Sequence, residues 1–415
     1  MQIIMEYLAR FCFGYPFVMS CYWIAGSIVY WLLIERHQPR FFNPPKLSAT
    51  PLVSVLLPCF NESEQLHETM EVLMQSTYPN FEVIAINDGS SDDTGKILVE
   101  LLKIYPKLRV AQLVENQGKS TALNTGLLLA KGNILVCIDG DALLDPHAID
   151  WFVSRFLEDG KLGAITGNPR IRNRSTLLGK IQVGEFSSIV GMIKRTQSLY
   201  GKLFTVSGAI CAFRKVTVIE AGLWNPRAMT DDVDLTLRLQ TKGWDVGFEP
   251  SALCWILMPE KLLGLWRQRV RWSEGGALAT MGVTRQLFRA KSLPLTLIWS
   301  NFFISTLWAF CIIIWFSLTN LNDLLKGDAN QALQNFVPHW WGTILASTYL
   351  LQSAIGLFLD SRYEKGILKS FGWIIWYPLA YWCIQTCSCA VGVSKALLRK
   401  SNAKGTWISP DRGLR

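Results

Sequence analysis

Four long stretches of the chain contain no Asp, Glu, Lys or Arg: Phe11 to Ile34, Leu295 to Leu318, Trp341 to Leu359 and Phe371 to Val393. Each is near or above the ~20 residues that a helix needs to cross ~30 Å of hydrocarbon. Tyr15, Tyr30, Trp31, Trp340, Trp341, Trp373 and Tyr377 sit towards their ends, as an interfacial aromatic belt requires. Buried core helices of a soluble protein are the alternative, and four uncharged runs of this length argue against it. The first run is too long for a signal-peptide core and lacks a small-x-small cleavage site, so it reads as a retained anchor. Composition agrees: 50% of the residues are hydrophobic and 17 are Trp, against 18% charged, which is more apolar than an ordinary soluble enzyme.

Basic residues near the spans set an expected orientation. Arg36, Arg40 and Lys46 follow the first run, whereas Arg10 alone precedes it, so residues 35 onward are expected in the cytoplasm. The basic stretch 260–291 agrees, the 319–338 loop reads as external, and Arg362, Lys365 and Lys369 return inside. The basic tail after Val393 conflicts with a further crossing; a crossing and a re-entrant hairpin broken at Pro378 are both open for the last run. The ten cysteines form no CxxC pair or metal-ligand spacing, and no disulfide framework follows. A net charge of +9 suits anionic headgroups, and nothing resembles a nucleic-acid module.

The expected organisation is an anchor at 1–35, a cytoplasmic domain at 50–290 ending in interfacial helices, a membrane region at 295–393 and a basic tail at 394–415. In the domain, apolar β-branched runs at Val53–Leu57, Val83–Ile86, Leu108–Val114 and Ile134–Ile138 alternate with helix-like segments at Glu64–Gln75, Thr94–Ile104 and Thr121–Ala130. Alternation of this kind predicts an α/β fold with a parallel, doubly wound sheet, whose ligands bind beyond the carboxyl ends of the strands. At those ends stand Asn61 and Glu62, then Asn87 to Asp92, then Asn116, Gly118 and Lys119, then Asp139-Gly140-Asp141.

Two carboxylates separated by a Gly at a strand end suit Mg²⁺ or Mn²⁺ shared with a diphosphate, although an isolated Asp-x-Asp is equally a solvated turn. Asp88 is placed to meet a base or ribose edge. Lys119 can meet a phosphate as a point charge. In Thr230-Asp231-Asp232, Thr230 reads as an N-cap with acids in the first turn, or the triplet supplies a general base for an acceptor hydroxyl. Gln268-x-x-Arg271-Trp272 combines a guanidinium able to clamp phosphate with an indole on which a sugar stacks; a basic amphipathic membrane-surface helix accounts for the same residues.

The ordered series Asp88, Asp139-Gly140-Asp141, Thr230-Asp231-Asp232 and Gln268-x-x-Arg271-Trp272 resembles the D, DxD, TED, QxxRW motifs of the processive family 2 glycosyltransferases. Cellulose, chitin and hyaluronan synthases belong to that family. Asp231 departs from it, standing where the family has Glu. The stretches Gly167–Arg172, Gly179–Glu185, Cys254–Glu260 and Trp407–Gly413 are similar to the branch that makes poly-β-1,6-N-acetyl-D-glucosamine, and this similarity covers nearly the whole chain from about residue 11. The resemblance implies a GT-A (Rossmann-like) domain between transmembrane helices, in a multi-pass protein of a bacterial inner membrane. It implies UDP-N-acetylglucosamine as donor, a growing polysaccharide as acceptor, and a biofilm exopolysaccharide as product. Carried over, Asp88 binds the uridine part with Lys119 nearby, Asp139 and Asp141 hold the diphosphate and metal, and Asp232 is the base. Asp231, Gln268, Arg271 and Trp272 then line the acceptor and diphosphate site. A small membrane partner subunit and activation by cyclic di-GMP are further implications.

Three alternatives remain at this point: another polymer on the same scaffold, a single-sugar transfer to a lipid carrier, and a transporter or receptor without chemistry. The last should carry buried charges in its spans, and the four runs carry none.

Overall fold

The computed structural model describes residues 2–325, 340–377 and 382–399. An eight-stranded sheet forms its centre, with β1 (Val53–Cys59), β2 (Phe81–Asp88), β3 (Leu108–Leu113), β4 (Ile134–Ile138), β5 (Leu143–Leu144), β6 (Leu162–Ile171), β7 (Ile210–Arg214) and β8 (Asp245–Ile256). The spatial order is β3-β2-β1-β4-β7-β6-β8-β5. Strands β1 to β4 are mutually parallel, as the alternating pattern predicts. The second half of the sheet is mixed: β7 runs antiparallel to both β4 and β6, and β6 is parallel to β8.

β1 and β2 are buried along their whole length because both faces of the sheet are covered. Val53, Val55, Leu57 and Cys59 enter one core with Val83 and Ala85, while Leu56 enters the other with Ile84 and Ile86. The two-residue period of a strand thus distributes one apolar run between two cores.

Among the described residues, three helices are long and apolar enough to cross a membrane: 3–37 with its short continuation, 293–321 and 340–360. The fourth apolar run is divided. A short helix at Phe371–Ile374 ends before the next begins at Trp382 and runs to Leu398, into the segment expected to be tail. Pro378, most of the 319–338 loop and residues 400–415 lie outside the described residues.

The long apolar helices are built into the α/β body. On the first helix (Gln2–Leu33), Tyr30 donates to the Phe248 carbonyl of β8 at 2.8 Å, and Ser27 donates to the Met192 carbonyl at 3.0 Å. Just beyond that helix, Glu35 accepts from Arg195 at 2.5 Å; Arg195 also reaches Asp360, at the end of the third membrane helix, at 2.8 Å. Asp360 pairs in turn with Arg170 of β6, which binds Glu364 at 2.9 Å. All five of these side chains are buried. Removing one partner from such a cluster strands a charge in a low-dielectric interior.

Candidate active site

A cavity of about 640 Å³ opens at the carboxyl ends of β1 and β4, next to the point where strand order reverses between them. Asp139, Gly140 and Asp141 form its floor directly after β4. Gly140 is required there: a Cβ would stand 2.9 Å from the Glu62 side chain and 3.3 Å from the Pro58 carbonyl. Thr69 donates to the Gly140 carbonyl at 2.9 Å and fixes the turn. The two aspartates offer hard oxygen donors at one edge, the set that Mg²⁺ or Mn²⁺ takes from a protein when a diphosphate supplies the remaining ligands. Among the described residues no group of three or more His, Cys, Asp or Glu is arranged to hold a metal, so the donor set fits a cation shared with a substrate rather than one caged by protein.

Lys119 opens the helix Lys119–Leu129 and is far from being a lone surface lysine. Its ammonium donates to Asp139 Oδ1 at 2.5 Å and to the Gly208 carbonyl at 3.1 Å. Burial works against its charge, but Asp139 and Asp231 outweigh it and hold the pKa above the ordinary lysine value. Asp88 stands behind the cavity wall. It is fully buried at the end of β2, and its carboxylate accepts the backbone N–H groups of Gln117 at 2.9 Å and Gly118 at 2.8 Å. Gly118 has φ +92°, which lets the loop turn both N–H groups onto one carboxylate. Asp88 therefore shapes the loop that delivers Lys119 and does not itself line the cavity. Burial raises its pKa, and the two N–H bonds oppose that rise.

Asp231 and Asp232 begin the helix Asp231–Thr241 and face the cavity. Thr230 occupies the N-cap position but makes no capping bond; its buried hydroxyl has no partner among the described residues. The close packing of Gly275, where a Cβ would stand 2.4 Å from Thr230 Cγ2, holds it instead. Asp232 accepts from Gly208 N–H at 3.2 Å and from Val233 N–H at 2.9 Å. Its pKa is raised to about 6, first by burial and then by the adjacent Asp231 charge, with Lys119 pulling the other way. A carboxylate so tuned is a better proton acceptor than an ordinary aspartate.

The third group comes from the helix Leu262–Ala290. Gln268, Arg271 and Trp272 are spaced i, i+3, i+4 and share the face that lines the cavity. Arg269 lies to the side of that face, is buried, pairs with Glu185 at 2.7 Å, and sits over the ring of its i+3 neighbour Trp272 at 4.3 Å. It anchors the helix that presents the other three. The structure thus brings Lys119, Asp139, Asp141, Asp231, Asp232, Gln268, Arg271 and Trp272 around one cavity, with Asp88 one layer behind.

No motif in the sequence marks Lys194. It is a buried cavity-lining lysine whose ammonium donates to Thr166 Oγ1 at 3.0 Å. Burial lowers its pKa to about 8.

The model of the family described as "Glycosyltransferase like family 2" matches residues 50–275. A poly-β-1,6-N-acetyl-D-glucosamine synthase of Staphylococcus aureus is 36% identical over 97% of this chain and 98% of its own length. The enzyme of the same name from Staphylococcus epidermidis is 36% identical over 98% and 99%. Among solved structures, a mannosyltransferase from Pyrobaculum calidifontis, in complex with GDP-Man and Mn²⁺, superposes with a TM-score of 0.60 at 18% identity. It covers 93% of this chain and 99% of its own. That likeness establishes a GT-A fold.

Proposed function

The chain belongs to the family 2 glycosyltransferases, and from that premise we propose that it polymerises N-acetylglucosamine from UDP-N-acetylglucosamine into a β-1,6-linked chain at a bacterial inner membrane. The observation that carries this reading is the convergence of three strings far apart in sequence, Asp139 to Asp141, Asp231-Asp232 and Gln268 to Trp272, on one cavity beside membrane-crossing helices. The names of relatives that align over nearly their whole length support the donor and linkage.

The reaction is an inverting displacement. Asp232 accepts the proton of the acceptor's 6-hydroxyl as that oxygen attacks C1 of the donor and the bond from C1 to the diphosphate breaks. Its raised pKa suits this role. Lys119 and Arg271 offset charge on the departing diphosphate, and Trp272 offers a ring face on which a sugar packs. Asp139 and Asp141 would hold Mg²⁺ or Mn²⁺, which when bound supplies Lewis-acid neutralisation of the leaving group. Asp88 keeps the 116–118 loop in shape for the nucleotide. The domain at 50–290 faces the cytoplasm, where the donor is made. A small membrane subunit and cyclic di-GMP belong to the same reading as partner and activator.

The test uses membranes containing the protein, with and without the small subunit and cyclic di-GMP, supplied with labelled UDP-N-acetylglucosamine and Mg²⁺. Labelled polymer that a β-1,6-specific hexosaminidase degrades is the expected result. Resistant polymer would overturn the linkage, and UDP release without polymer would favour single-sugar transfer.

A further inference from the structure

The wall of the cavity nearest the membrane helices is one continuous helical segment. It runs as an α-helix over Leu177–Glu185, a π-helix over Phe186–Gly191, and an α-helix over Met192–Ser198. Four residues span slightly less than a turn of π-helix and slightly more than a turn of α-helix. The two drifts oppose each other, so Phe186, Val190 and Lys194 fall on one face, and all three line the cavity. Arg195, the next residue, points away into the Glu35–Asp360 cluster. The segment is pinned from behind by the membrane helices: Gln352 donates to the Ser188 carbonyl at 2.6 Å, and Gly26 packs against Thr196 so closely that a Cβ would stand 2.2 Å from its Cγ2.

Among the described residues, Lys194 is the only cation that this segment presents to the cavity. It is 6% exposed, and no carboxylate among the described residues forms an ion pair with it. Thr166 Oγ1 is its hydrogen-bond acceptor, and that oxygen also receives the Ser207 N–H at 2.9 Å. An ammonium has three protons to donate, and a buried charge with unmet donors is costly. The position is also informative. Thr166 lies on β6, separated by β7 from β4, whose end carries Asp139 and Asp141, and by β7 and β4 from β1, β2 and β3.

We propose that Lys194 is an acceptor-binding residue, whose ammonium donates to a neutral oxygen, hydroxyl or amide carbonyl, of the terminal sugar of the growing chain beside Asp232. This assignment rests on the reading of the cavity as a polymerase site. The aromatic and aliphatic neighbours Phe186 and Val190 offer an apolar surface to the sugar ring, and Lys194 supplies the polar contact that fixes its orientation. The growing chain then leaves along the wall that the membrane helices support.

The experiment compares the full-length protein in lipid nanodiscs with K194M, which keeps length and removes charge, and K194R, which keeps charge. Two quantities are read: KM for a β-1,6-linked N-acetylglucosamine oligosaccharide at saturating UDP-N-acetylglucosamine, and Kd for UDP. K194M should raise the acceptor KM at least about tenfold, the loss of a charged hydrogen bond, with the UDP Kd within about twofold of wild type. K194R should recover part of the loss. Unchanged acceptor KM in K194M would overturn the assignment, and so would a parallel weakening of UDP, which would place Lys194 on the diphosphate. Should K194M fail to fold, seen as aggregation, K194Q is read in the same two assays against the same criteria. Wild-type protein that releases no UDP from this donor with any acceptor would overturn the polymerase reading itself, and the Lys194 assignment with it.

Discussion

The two sides of the cavity are built on different principles. On the side of β1 to β4, polar residues stand at the ends of parallel strands, of which β1, β2 and β4 are buried throughout, and are held by contacts within the domain: Asp88 by two backbone N–H groups, Gly140 by the Thr69 hydroxyl. On the other side, helices supply the lining, and buried ion pairs reaching 84 to 190 residues along the chain fix them: Arg269 with Glu185, Arg170 with Asp360, Arg195 with Glu35 and Asp360. The first side is self-contained in the sheet. The second is completed only when the membrane helices are docked, so damage to the membrane contacts should reach the acceptor before it reaches the nucleotide.

The largest effect expected is at the boundary of the two sides. Asp232→Asn removes the proton acceptor while keeping size and hydrogen-bonding reach, and polymer synthesis should fall by roughly 100-fold or more, the usual worth of a general base. UDP affinity, measured by calorimetry, should hold. Retained synthesis would remove Asp232 from the role of base.

Next in size is the clamp. Arg195→Leu leaves Glu35 and Asp360 buried with fewer counter-charges. Breaking a buried pair from one partner costs roughly 3–5 kcal/mol, so the melting temperature in detergent should drop sharply. If the two sides are as distinct as their construction implies, the surviving folded fraction keeps its UDP affinity and loses acceptor affinity. Equal loss of both would erase the distinction.

This division also separates what could be read in advance from what could not. β1, β2 and β4 were legible because a strand buried on both faces demands a near-continuous apolar run followed by a polar turn, and the partly exposed edge strand β3 through its place in the alternation of strands and helices. The shared face of Gln268, Arg271 and Trp272 follows from helical spacing, and the same spacing makes Arg269 the i, i+3 neighbour of Trp272. Nothing local announces the rest. Lys194 sits in Met192-Ile193-Lys194-Arg195-Thr196, where two adjacent basic residues look alike, and only the π-turn upstream and the docked membrane helices send one to the cavity and the other to Glu35. Asp88 was expected at the nucleotide because its strand end was legible, but what its oxygens accept depends on the backbone of a loop 29 residues later. The antiparallel β7 was missed because the repeat of strand and helix that announces parallel pairing stops at β4.

A smaller effect tests the self-contained side. Asp88→Asn keeps the shape but replaces one of the two accepting oxygens by a donor, which confronts the Gln117 or Gly118 N–H. Misplacing that loop misplaces Lys119, so KM for the donor should rise by about tenfold, in line with loss of one hydrogen bond to a charged group. Acceptor KM should stay near wild type. A change confined to the acceptor would mean that the loop serves the wrong side of the comparison.

The smallest effect lies in the electrostatics that join the two sides. Asp232 titrates at about 6 because burial and then Asp231 disfavour its charge. Its folded-state pKa therefore lies above its unfolded value of 3.8, so the folded protein binds this proton more tightly, and the stability it contributes is lost as pH rises from the unfolded value through about 6. Activity has the opposite sign, since the base must be ionised, and kcat should fall as pH drops through about 6. Asp231→Asn removes the second cause and leaves the first, so the acid limb of the pH–rate profile should move below 6 without reaching the ordinary aspartate value. An unmoved limb would assign it to a group other than Asp232. A limb at the ordinary value would mean that Asp231, rather than burial, does most to raise the base. In that case the step from the family's Glu to Asp at 231, which shortens the side chain, sets where on the pH scale this site works.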